Sequence, residues 1–281
     1  MFLFMHNTII IRYGELALKG ANRGEFEKQL VRNLRAAMHG VKFGRIQRKR
    51  GRIYIDCKEV CDKISNVFGI TSYSYAVKQK FDMEFMKMTI VKLLLPRKFE
   101  TFRVSAHRID KVIKQNSQEL NIEFGQFIVD HFGKKVSLKE HDVDVGIEIY
   151  GLDTFIYIDR HKGPGGLPLG TNGESFALID GKNSILASWF LMRRGVKLHP
   201  AATNEEELSL LEKYNFGNRQ LKVKNIKNIS EIPKLSKIMK INSIVTGHTL
   251  ANYETVCPGL LQLSPLVGMS QEIIDKELNK I

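Results

Sequence analysis

Residues 176–200 read FALIDGKNSILASWFLMRRGVKLHP. An apolar strand ends at Ile179, a tight loop turns at Gly181, and a helical run starts by Ser184. A helix that begins just after such a loop offers unpaired backbone N–H groups and a partial positive charge, the usual cradle for a phosphate. The pattern around it alternates between strand-like segments (175–179, 196–199, 221–224, 243–246) and helix-like ones (184–194, 205–214, 230–239). Such alternation predicts a parallel sheet with helices on its faces.

Upstream the pattern differs. HKGPGGLPLGTNGES (161–175) holds five glycines and two prolines, which predicts a loop or linker. Before it, TIIIR (8–12) reads as a buried strand. Asn22 is placed to cap a helix whose apolar residues Phe26, Leu30, Leu34 and Met38 recur at helical spacing, with Gly40 as its stop. Runs 41–47 and 52–56 flank a basic turn at Gly51 and predict a hairpin. Segments 59–67, 84–95 and 117–132 read as helices, and 101–107, 143–149 and 154–159 as strands. This part is an α+β block.

The chain has 281 residues, enough for two or three cores, and a formal net charge of +13. Residues 1–170 carry a net +10 and residues 171–281 only +3. A basic balance of this kind attracts polyanions, and its skew places that contact in the first two thirds of the chain. Cys57, Cys61 and Cys257 form neither a disulfide framework nor a full metal-ligand set, so no metal site is expected. No apolar run is long enough to span a bilayer, and the N-terminus lacks a basic leader and a cleavage site. The expectation is a cytoplasmic protein with no membrane contact.

RYGELALKGANRGEFEKQL (12–30) resembles the opening of the tRNA 4-thiouridine synthetase family, also linked to thiamine biosynthesis and known as ThiI. FRVSAHRIDK (102–111), NSQELNIEFGQFI (116–128), VSLKEHDVDVGIEI (136–149) and GPGGLPLGTNG (163–173) resemble its THUMP domain and exit loop. VTGHTLANYETV (245–256) stands where the family carries a TGE-S-L-G-Q-V-type motif, and SPLVGMSQEIIDKEL (264–278) is similar to its final segment. The resemblance runs nearly end to end. It implies a ferredoxin-like domain over 1–74, a THUMP RNA-binding domain over 75–165 and a Rossmann-like PP-loop domain of the ATP pyrophosphatase type over 166–281, with no rhodanese domain. It also implies tRNA as partner, with the first two domains gripping the acceptor end, and ATP as cofactor, with Mg only where ATP binds. A homodimer is a further implication.

Candidate RNA contacts follow from charge. Lys42, Arg45, Arg48, Lys49, Arg50 and Arg52 crowd six cations into eleven residues, a repulsion that phosphates would relieve. Arg103, Arg108 and Lys111 match basic positions of the THUMP motif, and Lys162 lies beside the glycine loop. Arg103 has an alternative role, an ion pair with Asp144 or Glu148. A strand ending near Ala106 would let Arg108 and Lys111 project from a loop. Glu15 and Lys19 read as a structural pair.

The family's PP-loop reads S-G-G-x-D-S. Aligned on LMRRGV (191–196), Ile179 stands at its first Ser, Asp180 at its first Gly, Gly181 at its second, Lys182 at x, Asn183 at Asp and Ser184 at its last Ser. Asp180 puts bulk and negative charge where phosphates should sit. Ala177, Leu178, Gly181, Lys182, Ser184 and Gly247 are the candidate nucleotide contacts, with Gly247 expected to let the strand end turn closely over an adenine. The family's sulfur-handling cysteine has no counterpart between Gly195 and Thr246. Two readings remain: a tRNA-binding protein that assists a separate modification enzyme, and an active, divergent sulfurtransferase supplied by an external sulfur donor. A small-molecule role in thiazole synthesis has no support from the basic front half.

Overall fold

The computed structural model describes residues 6–15, 22–49, 51–202, 208–217 and 229–281. The chain falls into two compact units. The first comprises Met1–Arg12, Gly40–Cys61 and Ser72–Lys162. The second comprises Tyr13–His39, Asp62–Thr71 and Gly163–Ile281.

In chain order the elements are β1 (Thr8–Arg12), α1 (Arg23–Ala37), β2 (Phe43–Lys49), β3 (Arg52–Cys57), β4 (Ser72–Lys80), α2 (Met83–Leu94), β5 (Thr101–Arg108), α3 (Ser117–Phe132), β6 (Lys135–Val136), β7 (Val143–Tyr150), β8 (Asp153–Tyr157) and β9 (His161–Lys162). They continue with β10 (Glu174–Ile179), α4 (Lys182–Arg193), β11 (Lys197–Ala202), α5 (Ser209–Glu212), α6 (Ile232–Met239), β12 (Ser243–Val245), β13 (Leu261–Leu263) and α7 (Gln271–Leu278).

The first unit is built on one sheet in the order β2-β3-β1-β4-β8-β7-β5-β6, with β9 also paired to β4. Strand β4 carries the sheet across: Ser72–Ala76 pair with β1 and Val77–Lys80 with β8. All five residues of β1 are buried, as three consecutive isoleucines between two partner strands require. Helices α2 and α3 cover the β5-β7-β8 region through Met86, Ile90, Leu94, Leu120, Phe124 and Ile128. The start of α3 is fixed by a capping box in which Asn116 and Glu119 satisfy each other's backbone donors, and its end by Gly133 in the left-handed region.

The second unit holds a four-stranded, wholly parallel sheet in the order β11-β10-β12-β13. The period of two along β10 sorts its side chains between two cores. Ala177 and Ile179 join Ile185, Trp189 and Leu211 on one face, while Phe176 and Leu178 join Ile232, Ile241 and Cys257 on the other.

Several expectations change. Strand β5 continues to Arg108 instead of ending near Ala106, because Phe102–Arg108 pair in parallel with Val143–Ile149. The helix expected over 59–67 is a short 3-10 turn at Asp62–Asn66. The glycine-rich segment begins with β9, and β13 forms where no strand was expected. Asn22 precedes α1 but makes no side-chain cap bond. Lys19, Arg50, the strand expected at 221–224 and part of the helix expected at 205–214 lie outside the described residues.

Candidate functional site

The crossover from β10 through α4 to β11 runs to one side of β10, while β12 lies on its other side. In open parallel sheets a crevice forms at such a switch point, beyond the carboxyl ends of the strands. A cleft of about 270 Å³ lies there, lined by Asp180, Gly181, Lys182, Asn183, Gly247, His248 and Asn252. Gly181, Lys182 and Gly247 are thereby brought together. Ala177 and Leu178 do not line the cleft, because their side chains belong to the two cores behind it. Ile179 is likewise a core residue.

Ser184 lies beneath the loop and is buried. Its Oγ accepts from the backbone N–H groups of Asp180 (3.0 Å) and Gly181 (3.2 Å) and donates to the Gly181 carbonyl (2.6 Å). Two backbone donors at the loop are therefore turned inward. Ser184 N and Ile185 N also reach the Gly181 carbonyl. Lys182 N and Asn183 N remain at the mouth of the helix as its orphan donors. Gly247 presses on this first turn: a Cβ there would collide with Ser184 N and Cα. The glycine is required by the approach of the β12 end to α4.

His248 follows Gly247, is only 6% exposed and lines the cleft. Its Nδ1 faces Gln262 Nε2 at 3.4 Å. The Gln262 amide is oriented by Val256 N, which donates to its Oε1 (3.0 Å), and by the Glu254 carbonyl, which accepts from its Nε2 (2.8 Å). Thr246 Oγ1 and Ser264 Oγ meet at 2.8 Å behind the histidine. Cys257, the only cysteine after Cys61, is 3% exposed, and burial alone pushes its thiol up from the ordinary value. Such a thiol stays protonated at neutral pH and is a poor sulfur carrier.

The candidate cations of the first unit divide sharply. Arg12 and Glu148, both 2% exposed, form an ion pair (2.7 Å) that Arg52 joins from the other side at 3.1 Å. Burial would raise the Glu148 carboxyl, but Arg12 and Arg52 outweigh it and hold the group below the ordinary range. Arg103 is paired with Asp144. Arg108 donates to the carbonyls of Ile113 (2.9 Å) and Gln115 (3.0 Å), bracing the loop it was expected to project from. Lys49 lies over the Tyr150 ring at 4.6 Å. Lys42, Arg45, Arg48, Lys111 and Lys162 are exposed. Along the regular part of β2, alternation puts Arg48 and Lys49 on opposite faces, so the cations do not share one face. Glu15 meets Arg194 (2.9 Å); Lys19, its expected partner, lies outside the described residues. His248, Asn252 and Gln262 were missed from sequence; the one local signal was the position of His248 directly after the TG turn.

The fold of the first unit and the crevice of the second define a THUMP protein that also carries a parallel α/β unit with a crevice at its switch point. The ThiI ferredoxin-like domain model matches residues 8–74 and the THUMP domain model residues 80–159. The chain belongs to the ThiI, or tRNA 4-thiouridine synthetase, family. It is 36% identical over 210 residues to a probable tRNA sulfurtransferase of Natranaerobius thermophilus, covering 69% of this chain and 51% of that protein. It is 32% identical over 237 residues to one of Thermococcus kodakarensis, covering 76% and 62%. The chain thus spans about half the length of the first relative. Among solved structures it is similar to PH1313 from Pyrococcus horikoshii Ot3 (TM-score 0.86, 27% identity, 98% of this chain and 99% of that one). It is also similar to a 4-thiouridine synthetase–RNA complex with bound ATP (TM-score 0.79, 25% identity, 98% and 84%). No helix among the described residues is long and apolar enough to cross a membrane.

Proposed function

We propose that this chain is a tRNA-binding member of the family that acts in tRNA thiolation without carrying out adenylation unaided. The observation that carries the reading is the inward closure of the 180–184 loop. Ser184 takes the Asp180 and Gly181 N–H groups, while Asp180 is an acidic residue of the cleft lining. A triphosphate needs successive outward donors and tolerates no nearby carboxylate without a counter-ion. The buried Cys257 thiol supports the same reading. On this view the exposed Lys42, Arg45, Arg48, Lys111 and Lys162 meet tRNA phosphates, whereas Arg52, Arg103 and Arg108 hold the first unit together. A separate modification enzyme then supplies the chemistry. The similarity to a synthetase–RNA complex supports RNA as the ligand class.

A second reading is favoured by the crevice itself, which keeps its place at the switch point and retains Lys182 and Gly247. It makes the chain an active sulfurtransferase that uses ATP and an external sulfur donor. One assay separates the two. Filter binding of tRNA across a salt series, run beside pyrophosphate release from ATP with tRNA present, is expected to give salt-sensitive tRNA binding and no pyrophosphate. Stoichiometric pyrophosphate release would establish the second reading. Equal affinity for tRNA and duplex DNA would defeat the first.

A further inference from the structure

Two groups of exposed cations lie on separate segments of the first unit: Lys42, Arg45 and Arg48 in and beside β2, and Lys111 in the loop after β5. Both segments are anchored on one piece of chain, the end of β7. From the β2–β3 hairpin, Arg52 reaches Glu148 at 3.1 Å, and Lys49, its register partner across the turn, lies over the Tyr150 ring at 4.6 Å. Tyr54, two residues beyond Arg52 and so on the same face, stacks on Phe155 of β8 at 4.4 Å. From the loop, Ile109 N donates to the Ile149 carbonyl (2.9 Å), and the Asp110 carboxylate accepts from Gly151 N (2.8 Å) and Val112 N (3.3 Å). Residues 148–151 thus alternate between the two segments: Glu148 and Tyr150 hold the hairpin, while Ile149 and Gly151 hold the loop.

We propose that the Glu148–Gly151 end of β7 registers the two cation groups against each other so that both meet one RNA backbone, with Tyr150 and Asp110 as positioning residues that do not touch the RNA. This inference rests on the reading that the exposed cations meet tRNA phosphates. Two charged segments held at a fixed separation act on one ligand with a high effective concentration, and that advantage is lost when either segment drifts. Ordering them on folding also spares the ordering cost on binding. Asp110 gives the idea a sign. As a bare charge next to Lys111 it repels a phosphate backbone, so its removal would strengthen RNA binding. As the acceptor that fixes the loop to Gly151, its removal weakens RNA binding instead.

The test is filter binding of tRNA to the full chain across a salt series, with circular dichroism melts to establish that each variant is folded at the assay temperature. Asp110→Ala is expected to bind tRNA about fivefold more weakly and to flatten the slope of log K against log salt by about 0.7–0.9, one phosphate contact, although the protein has become more basic. Asp110→Asn, which keeps an acceptor for Gly151 N–H, should bind at least as tightly as the wild type. Tyr150→Leu should weaken binding by a similar factor with no change of charge, and Tyr150→Phe, which keeps a ring face for Lys49, should restore it. In Tyr150→Leu, the further change Lys111→Ala should cost less affinity than it does in the wild type, because the two groups no longer act together. A purely structural role would lower the melting point and leave the salt slope and this coupling unmoved. Tighter binding by Asp110→Ala, or equal affinity and slope in Tyr150→Leu and the wild type, overturns the proposal; should Asp110→Ala not fold, Tyr150→Leu and its Lys111→Ala cycle decide it. Absent or salt-indifferent tRNA binding would sink the functional reading beneath. Salt-sensitive binding that responds to Lys42→Ala and Lys111→Ala, but not to Tyr150→Leu or Asp110→Ala, would sink this inference alone.

Discussion

The first unit buries its charge as a carboxylate held between two guanidinium groups, while the cleft of the second is lined by a buried histidine beside a glutamine amide. At Arg12–Glu148–Arg52 the carboxylate receives bonds from two guanidinium groups, and Arg12 also reaches Ser74 Oγ (3.0 Å). At His248, Nδ1 lies 3.4 Å from Gln262 Nε2 and the residue lines the cleft. Both contain charged or polar residues of the kinds that binding sites use. What separates a brace from a site is whether the protein's own groups exhaust the hydrogen-bonding capacity.

Glu148→Gln is the strongest way to break that contrast. It leaves two arginines around a neutral amide in the interior, and loss of one partner from a buried pair costs about 3–5 kcal/mol. Denaturant unfolding followed by circular dichroism should show the loss. Trp189, the only tryptophan, sits in the second unit and reports that unit separately. The same group predicts a pH dependence. Its folded pKa lies below the ordinary 4.5, so its contribution is complete above that value and is lost as pH falls through the folded pKa. An acid titration of wild-type stability that is as steep in Glu148→Gln would show that other carboxylates control it.

Gly247→Ala should come next in size. The new Cβ meets backbone atoms of the α4 first turn, not a flexible side chain, so strand end and helix must separate. Overpacking of this kind costs about 1–3 kcal/mol. The loss should appear in Trp189 fluorescence melts, and an unchanged melting point would mean that the cleft wall yields freely.

The cations of the first unit sharpen the comparison from the other side. Replacing Lys42, Arg45 and Lys111 by Ala should lower tRNA affinity while leaving the melting point nearly unchanged. Each phosphate contact removed should flatten the slope of log K against log salt by about 0.7–0.9. Arg103→Ala should do the reverse, losing its bond to Asp144 and some stability with little change in salt slope. Filter binding across a salt series distinguishes them.

The second unit's architecture was legible because β10 is a continuous apolar run and its loop and helix are contiguous. The site was half legible for the same reason: Gly181, Lys182 and Ser184 lie in one stretch. His248 could not be weighed from sequence, because its neighbour in the cleft wall is Gln262, and Gln262 is delivered by the Ile244↔Gln262 register of β12 against β13. With three residues, β13 has too little pattern to reveal itself. The RNA candidates failed to separate on sequence for a related reason. Arg45 and Arg52 look alike in a count of charges, yet the partner that occupies Arg52 lies 96 residues further on.

Ser184→Ala produces the smallest expected change in stability and the most discriminating one at the cleft. The hydroxyl satisfies two N–H groups at the head of α4, and loss of a comparable helix cap costs about 1 kcal/mol. The Asp180 and Gly181 donors it released would then be open to water or to a ligand. If Ser184 serves only to close the loop, phosphate-bearing ligands should bind the variant at least as well as the wild type, with ATP gaining more than AMP because the row of donors lengthens. A serine that itself contacted phosphate would give the opposite result, a weakening for both nucleotides. Titration of the variant with AMP and ATP, beside its Trp189 melting curve, therefore tells whether the loop is closed by its own hydroxyl or merely waiting for a ligand to open it.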